Sequence, residues 1–109
     1  MAQFDIHRNK GALRDTIPFV VVVQSSQFDN YRRRVVVPLV KRSALQMNAS
    51  LLASRLNPAF EVEGEQVILH TLDMVSVAMD QLGPYVGTLA EQGQRITDAI
   101  DELLTRSWG

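Results

Sequence analysis

The sequence contains no cysteine, which excludes disulfide frameworks, thiolate metal sites and cysteine nucleophiles. Its two histidines, His7 and His70, are too few for an all-histidine zinc site. Aromatic residues make up only 6% of the chain, with a single tryptophan. Long hydrophobic runs are also missing. Runs such as Pro18–Val23 are too short to cross a bilayer, so no membrane association is expected. The N-terminal stretch MAQFDIHRNKG lacks the apolar core of a secretory signal, and a cytoplasmic protein is expected. The chain has no GxSxG, Walker A, GxGxxG or HExxH motif, so no cofactor, metal or catalytic residue is expected. Hydrophobic residues (46%) and charged residues (21%) occur at ordinary globular levels. A chain of this length builds one core, a single domain over residues 1–109.

Charge is divided unevenly. Residues 1–55 carry nine Lys/Arg against three acids, and residues 56–109 carry two Arg against nine acids. Either the halves neutralise each other within one fold, or the first half presents a basic face to an acidic partner. Arg32-Arg33-Arg34 is the densest cluster. In an extended chain its members alternate faces, so at most two share one side.

The pattern of elements is strands followed by a helix. Gln3–His7 reads as a short first strand. Ile17–Gln24 is a continuous β-branched run, suited to a strand buried on both faces, with Pro18 at its start. Ser25–Tyr31 has turn chemistry at Asp29-Asn30. Arg33–Val40 is a second β-branched run, expected to pair antiparallel with the first; Pro38 argues for an edge position or a bulge. Ser43–Leu56 reads as loop with short helical turns. Ala59–Val62 and Val67–Leu72 flank Glu63-Gly64-Glu65, a hairpin signal. Met74–Met79 suits a short strand, and Gly83-Pro84 punctuates the chain. Thr88 and Glu91 fit a capping box. Leu89, Ile96, Ala99, Ile100, Leu103 and Leu104 then recur at helical spacing, predicting about five turns ending near Arg106. Gly93 is its one breaker, costing about 1 kcal/mol relative to alanine. The sum is α+β, mainly β: a strongly twisted antiparallel sheet or partly open barrel with one C-terminal amphipathic helix.

Candidate chemistry is sparse. Glu61, Glu63 and Glu65 would share one face of an extended segment and could hold a hard cation, but a solvated strand edge explains them better. His70 reads as a half-exposed strand histidine or a general base, and His7 beside Arg8 as a phosphate contact or a packed residue. Trp108, the only tryptophan, stands beyond the helical stripe. It folds back on the core, packs in a homodimer interface, or engages a partner.

The ordered set Gln3-Phe4, Val21-Val22-Val23-Gln24-Ser25 with Asp29, Arg33 through Leu39, Leu56-Asn57-Pro58, Asp73 through Val77, Leu89, and Ile96 through Ile100 resembles the CcdB toxin family. The resemblance runs along essentially the whole chain. It implies an SH3-like barrel with a C-terminal helix, and a homodimeric, non-enzymatic toxin. Such a toxin binds the A subunit of DNA gyrase and traps the cleaved-DNA complex, in the service of plasmid maintenance. It also implies a cognate CcdA-like antitoxin, with operator DNA bound for transcription regulation only through that antitoxin. The implied gyrase contacts are Ser25 and Phe28 on the loop, Asp98 and Asp101 on the helix, and Ser107, Trp108 and Gly109 at the tip. The implied antitoxin contacts are Arg32, Arg33 and Arg34. This sequence departs from the family at several of these positions. Trp108-Gly109 match a terminal Trp-Gly-Ile after an insertion, and the final Ile is missing. Gln27 and Phe28 replace two apolar loop residues, Asp98 and Asp101 replace asparagines, and Gly93 replaces a glutamate. The alternatives are a divergent member that binds antitoxin without poisoning gyrase, and a MazF/Kid-like endoribonuclease of the same architecture.

Overall fold

A computed structural model describes residues 2–28, 30–44 and 56–106. Seven strands form one curled antiparallel sheet: β1 (Asp5–Asn9), β2 (Phe19–Val22), β3 (Arg33–Lys41), β4 (Ala59–Val62), β5 (Glu65–Leu69), β6 (Val75–Ala78) and β7 (Leu82–Thr88). Their order is β4-β5-β3-β2-β1-β7, with β6 also paired to β3. One helix, α1 (Gly93–Asp101), follows the last strand. The expected α+β class, with a barrel-like antiparallel sheet and a C-terminal helix, is what the chain forms.

The β-branched run of β2 is buried on both faces, as its composition requires. Phe19 and Val21 point into the main core with Ile6, Val37, Leu39, Phe60, Val67, Leu69, Ile96 and Ala99. Val20 and Val22 point the other way, into a smaller cluster with Val36, Val77 and Leu82. β2 and β3 pair antiparallel, Phe19 opposite Leu39 and Val22 opposite Val36. β4 and β5 form the expected hairpin. Its two-residue turn holds Glu63 at φ 52° and Gly64 at φ 77°, the left-handed pair of a type I′ turn, for which glycine is the permissive residue. The hairpin separates the three glutamates. Glu61 lies on β4 and Glu65 on β5, and Glu63 turns to pair with Arg8. No group of three potential metal ligands occurs among the described residues.

Pro38 is not on an edge. β3 has β2 on one side and β5 and β6 on the other. Pairing with β6 ends at Val36 and pairing with β5 begins at Leu39. Pro38 therefore sits at the junction of the two partners. Its carbonyl accepts from the His70 N–H (3.0 Å), and its missing donor falls in the gap, where the ladder needs none. Gly83-Pro84 lies inside a strand rather than between elements. β7 is the last strand of the sheet, and its register on β1 is irregular between His7–Tyr85 and Asn9–Leu82. An edge strand with such a break accommodates a proline. The first strand runs from Asp5, later than the sequence pattern places it, because Phe4 adopts φ 72° and turns the chain.

The helix differs from its pattern at both ends. Thr88 Oγ1 accepts from the Ala90 N–H (3.1 Å) instead of bonding an N3 amide, and a 3₁₀ turn at Ala90–Gln92 precedes α1. Beyond Asp101 the chain continues as a π-helix, Glu102–Arg106. Its wider i→i+5 turns rotate successive residues differently from an α-helix. Leu104, expected on the buried stripe, is consequently 62% exposed. Ile96 and Ala99 carry the packing. Arg95 reaches from the helix over the Phe60 ring, 4.5 Å from its centroid, and donates to the Ala59 carbonyl (2.9 Å) on the outer strand β4.

Of the 43–56 loop reading, Arg42–Ala44 is a 3₁₀ turn. Residues 45–55 lie outside the described residues, as do Asp29 and the tip Ser107, Trp108 and Gly109.

Candidate functional site

The Ser25 loop follows directly from the end of β2. Ser25 Oγ accepts from the Gln27 N–H (3.3 Å), which closes the start of the 3₁₀ turn Ser26–Phe28. The loop's path is set from behind by Arg34. This arginine has no exposed surface. Its Nε donates to Gln24 Oε1 (3.2 Å), and its Nη2 donates to the carbonyls of Gln24 (3.2 Å) and Ser25 (3.4 Å). The same Gln24 Oε1 also accepts from the Val35 N–H (2.9 Å). The amide side chain thus takes the place of a backbone carbonyl where the β2–β3 ladder runs out.

Strand alternation along β3 turns Arg34 away from Arg33, and Arg32 lies just before the strand, exposed. Arg34 points inward and belongs to the loop's support, not to an exposed cationic face. Arg33 is exposed and lies across β6, with Nε on Ser76 Oγ (2.9 Å) and Nη2 on the Ser76 carbonyl (2.6 Å). Arg32 lines a cleft of about 500 Å³ with Arg33, Ala78, Met79 and Asp80. Lys10 joins the same corner by donating to the Asp80 carbonyl (2.9 Å). Sequence reasoning passed over Gln24, Lys10 and Ser76 as site residues. Only Gln24 carried a signal, since a polar residue closing a β-branched run has to find a partner.

On α1, Asp98 is half-buried and accepts from the Gln94 side chain (2.9 Å). Asp101 is also half-buried. With Glu91 and Glu102 they make the helix surface acidic, on a different element from the cationic corner. His7 is buried, its Nδ1 3.0 Å from the Gly83 carbonyl and its ring edge-on to Tyr85 at 6.0 Å. It is a packed residue rather than an open phosphate contact. His70 is partly exposed, with Nδ1 2.8 Å from Asp73 Oδ2. No helix among the described residues is long and apolar enough to cross a membrane.

Known proteins can be compared with this arrangement. A search of curated protein sequences found no match. Among solved structures, an endoribonuclease from a Mycobacterial species superposes with a TM-score of 0.71 at 14% identity, over 100% of this chain and 95% of that one. An endoribonuclease in complex with its cognate antitoxin, also from a Mycobacterial species, gives 0.72 at 13% identity, over 100% and 99%. The Mycobacterium tuberculosis toxin MazF-mt6 gives 0.68 at 14%, over 90% and 93%. At these identities the likeness is one of fold. The family model of the CcdB protein matches residues 3–106, from the first turn before β1 to the end of the π-helix. The sheet, the Ser25 loop and the helix thus all fall within one family pattern, and the chain belongs to the CcdB family, the toxins of toxin–antitoxin systems.

Proposed function

We propose that this toxin acts by binding and not by catalysis: as a cytoplasmic homodimer it engages the A subunit of DNA gyrase and holds the cleaved-DNA complex. The observation that carries this reading is the family match, which continues through the helix leading to the C-terminal tip. In this reading Ser25 and Phe28, Asp98 and Asp101, and Ser107, Trp108 and Gly109 meet gyrase. Arg32 and Arg33, the exposed members of the arginine cluster, meet the cognate antitoxin. Operator DNA is bound only through that antitoxin.

The test is a supercoiling assay with purified gyrase, with and without antitoxin. Trp108→Ala is expected to weaken gyrase inhibition by about 2 kcal/mol of binding, roughly thirtyfold. Melting temperature and antitoxin affinity should stay near those of the parent protein. A large fall in melting temperature would instead make Trp108 a core residue.

An endoribonuclease reading has one specific support, the named activity of the two structural neighbours. Its candidate general base is His70, oriented by Asp73. Incubation with RNA separates the readings: cleavage at substoichiometric protein, abolished by His70→Ala, would replace the binding mechanism.

A further inference from the structure

The curled sheet does not close on itself. Its order runs from β4 to β7, so these two strands keep free edges. One cleft of about 190 Å³ is lined from both, by Glu61, Val62 and Glu63 on one side and Val86, Gly87 and Thr88 on the other. Ladder phase decides which backbone groups face it. The Leu69 N–H donates to the Pro58 carbonyl (2.9 Å), and antiparallel pairs alternate between bonded and non-bonded. Phe60 and Val62 therefore bond β5, and the N–H and C=O of Ala59 and Glu61 face away from it. The Arg95 guanidinium on the Ala59 carbonyl fits that phase. On β7, Gly87 pairs with Ile6 and the Leu89 N–H donates to the Phe4 carbonyl, so the Thr88 backbone between them faces away from β1.

This seam is closed at both ends and has an apolar floor. Arg8 pairs with Glu63 at the hairpin turn, and Arg95 bonds Ala59 at the helix end. The stretch from Ala59 to Glu63 spans about 13 Å of extended chain, room for about four residues. Ile6, Val62 and Leu89 belong to the core, with Val86 packed on them. Gly87 leaves a slot in this floor, since a Cβ there would have no atom within 4 Å. Phe60 and Val62 are buried, and Glu61 between them points outward, exposed. Its carboxylate has no partner among the described residues. Both cations at the ends are taken: Arg8 by Glu63, and Arg95 by the Gln92 side chain, the Ala59 carbonyl and the Phe60 ring.

From this geometry we propose that the seam between β4 and β7 docks a short extended segment of a partner protein in which basic and apolar residues alternate. Neighbouring side chains of an extended segment point to opposite faces. One aliphatic side chain enters the slot at Gly87, and a lysine or arginine next to it stays outside and pairs with Glu61. The segment's backbone bonds the free N–H and C=O groups of Glu61 and Thr88, as when a strand is added to a sheet edge. An acidic segment fits badly, because it brings a carboxylate beside Glu61 with no free cation to receive it. None of the residues assigned to gyrase or to the antitoxin lines this cleft, so the site is separate from both and depends on neither reading.

The experiment titrates the full chain, labelled with ¹⁵N, with the capped pentapeptide Lys-Val-Lys-Val-Lys and follows amide chemical shifts. Saturable shifts should gather at Glu61, Gly87 and Thr88. Gly87→Val is the decisive variant. The φ of Gly87 is not positive, valine suits a strand, and open space receives its side chain. The melting temperature should hold while affinity for the pentapeptide falls about tenfold or more. Glu61→Gln leaves the floor intact and should weaken binding about threefold to fivefold, with a flatter salt dependence. A Glu-Val-Glu-Val-Glu peptide, and the basic peptide N-methylated along its backbone, should bind about tenfold more weakly or not at all. The proposal is overturned if the parent shows no saturable shifts, or if they are confined to the acidic surface of α1. It is also overturned if Gly87→Val binds the basic peptide as tightly as the parent, or if the acidic peptide matches the basic one. Should Gly87→Val fail to fold, unchanged affinity in Glu61→Gln overturns it alone. Gyrase inhibition is assayed separately, so failure here leaves the proposed function standing, and failure of gyrase inhibition leaves this site standing.

Discussion

Arg34→Ala should lower the unfolding free energy by about 3–5 kcal/mol, measured by urea denaturation. The side chain is wholly buried, so truncation opens a cavity at the β2–β3 end. It also removes the donor from the Gln24 and Ser25 carbonyls, and a buried acceptor left without a donor costs about 1–3 kcal/mol. Arg34→Met separates these contributions. It restores most of the volume without the donors, and it abolishes the cost of desolvating a guanidinium. The methionine variant should therefore be the more stable of the two, while its Ser25 loop loses the carbonyl anchors. Amide exchange at Gln27, whose N–H bonds the Ser25 hydroxyl, reports that loosening directly. An Arg34→Ala protein as stable as its parent would show that the loop is held by something other than this clamp.

Gly93→Ala should also destabilise the protein, by about 2 kcal/mol. Helix propensity alone favours alanine by about 1 kcal/mol, and Gly93 has ordinary helical angles, φ −57° and ψ −31°, so the backbone permits the change. Packing reverses the sign. The Phe4 ring lies against the glycine, and a Cβ there would fall 2.7 Å from Phe4 Cδ2. Phe4 has little freedom to yield. It is held at φ 72°, its N–H donates to the Val22 carbonyl (2.6 Å), and its own carbonyl accepts from the Leu89 N–H (2.9 Å). Thermal denaturation should show a fall of roughly 8–15 °C for a chain of this size. Combining Gly93→Ala with Phe4→Ala should cost less than the two single changes together, because the clash is gone once the ring is removed. Additive losses would place the damage elsewhere.

The two residues differ in how readable they are from sequence. Arg34 appears there as one of three equivalent surface cations. Its burial follows from strand phase, and the phase is decided by which face of β3 meets β2 and the core. Gly93 appears as a weak point in an otherwise good helix. Its necessity comes from Phe4, almost ninety residues earlier in the chain, and no local pattern connects them. Pro38 is a third case. The rule that proline avoids central strands is sound, but it concerns the missing N–H. Whether that N–H was needed depended on β5 and β6 dividing one side of β3 between them.

Composition and periodicity by themselves determined the fold class, the two-sided burial of β2, the β2–β3 pairing, the Glu63-Gly64 hairpin and the helical segment that follows Thr88. These depend on interactions within a few residues or on the burial demand of continuous β-branched runs, and such terms are written locally in the chain. The order of side chains along it also carried the resemblance that the family match bears out. Tertiary structure alone decided which arginine is buried, where the π-turn rotates Leu104 into solvent, and why position 93 admits no side chain. Each of these is settled by contacts between elements far apart in sequence. Their geometry depends on register and curvature of the whole sheet, which no local window of residues contains.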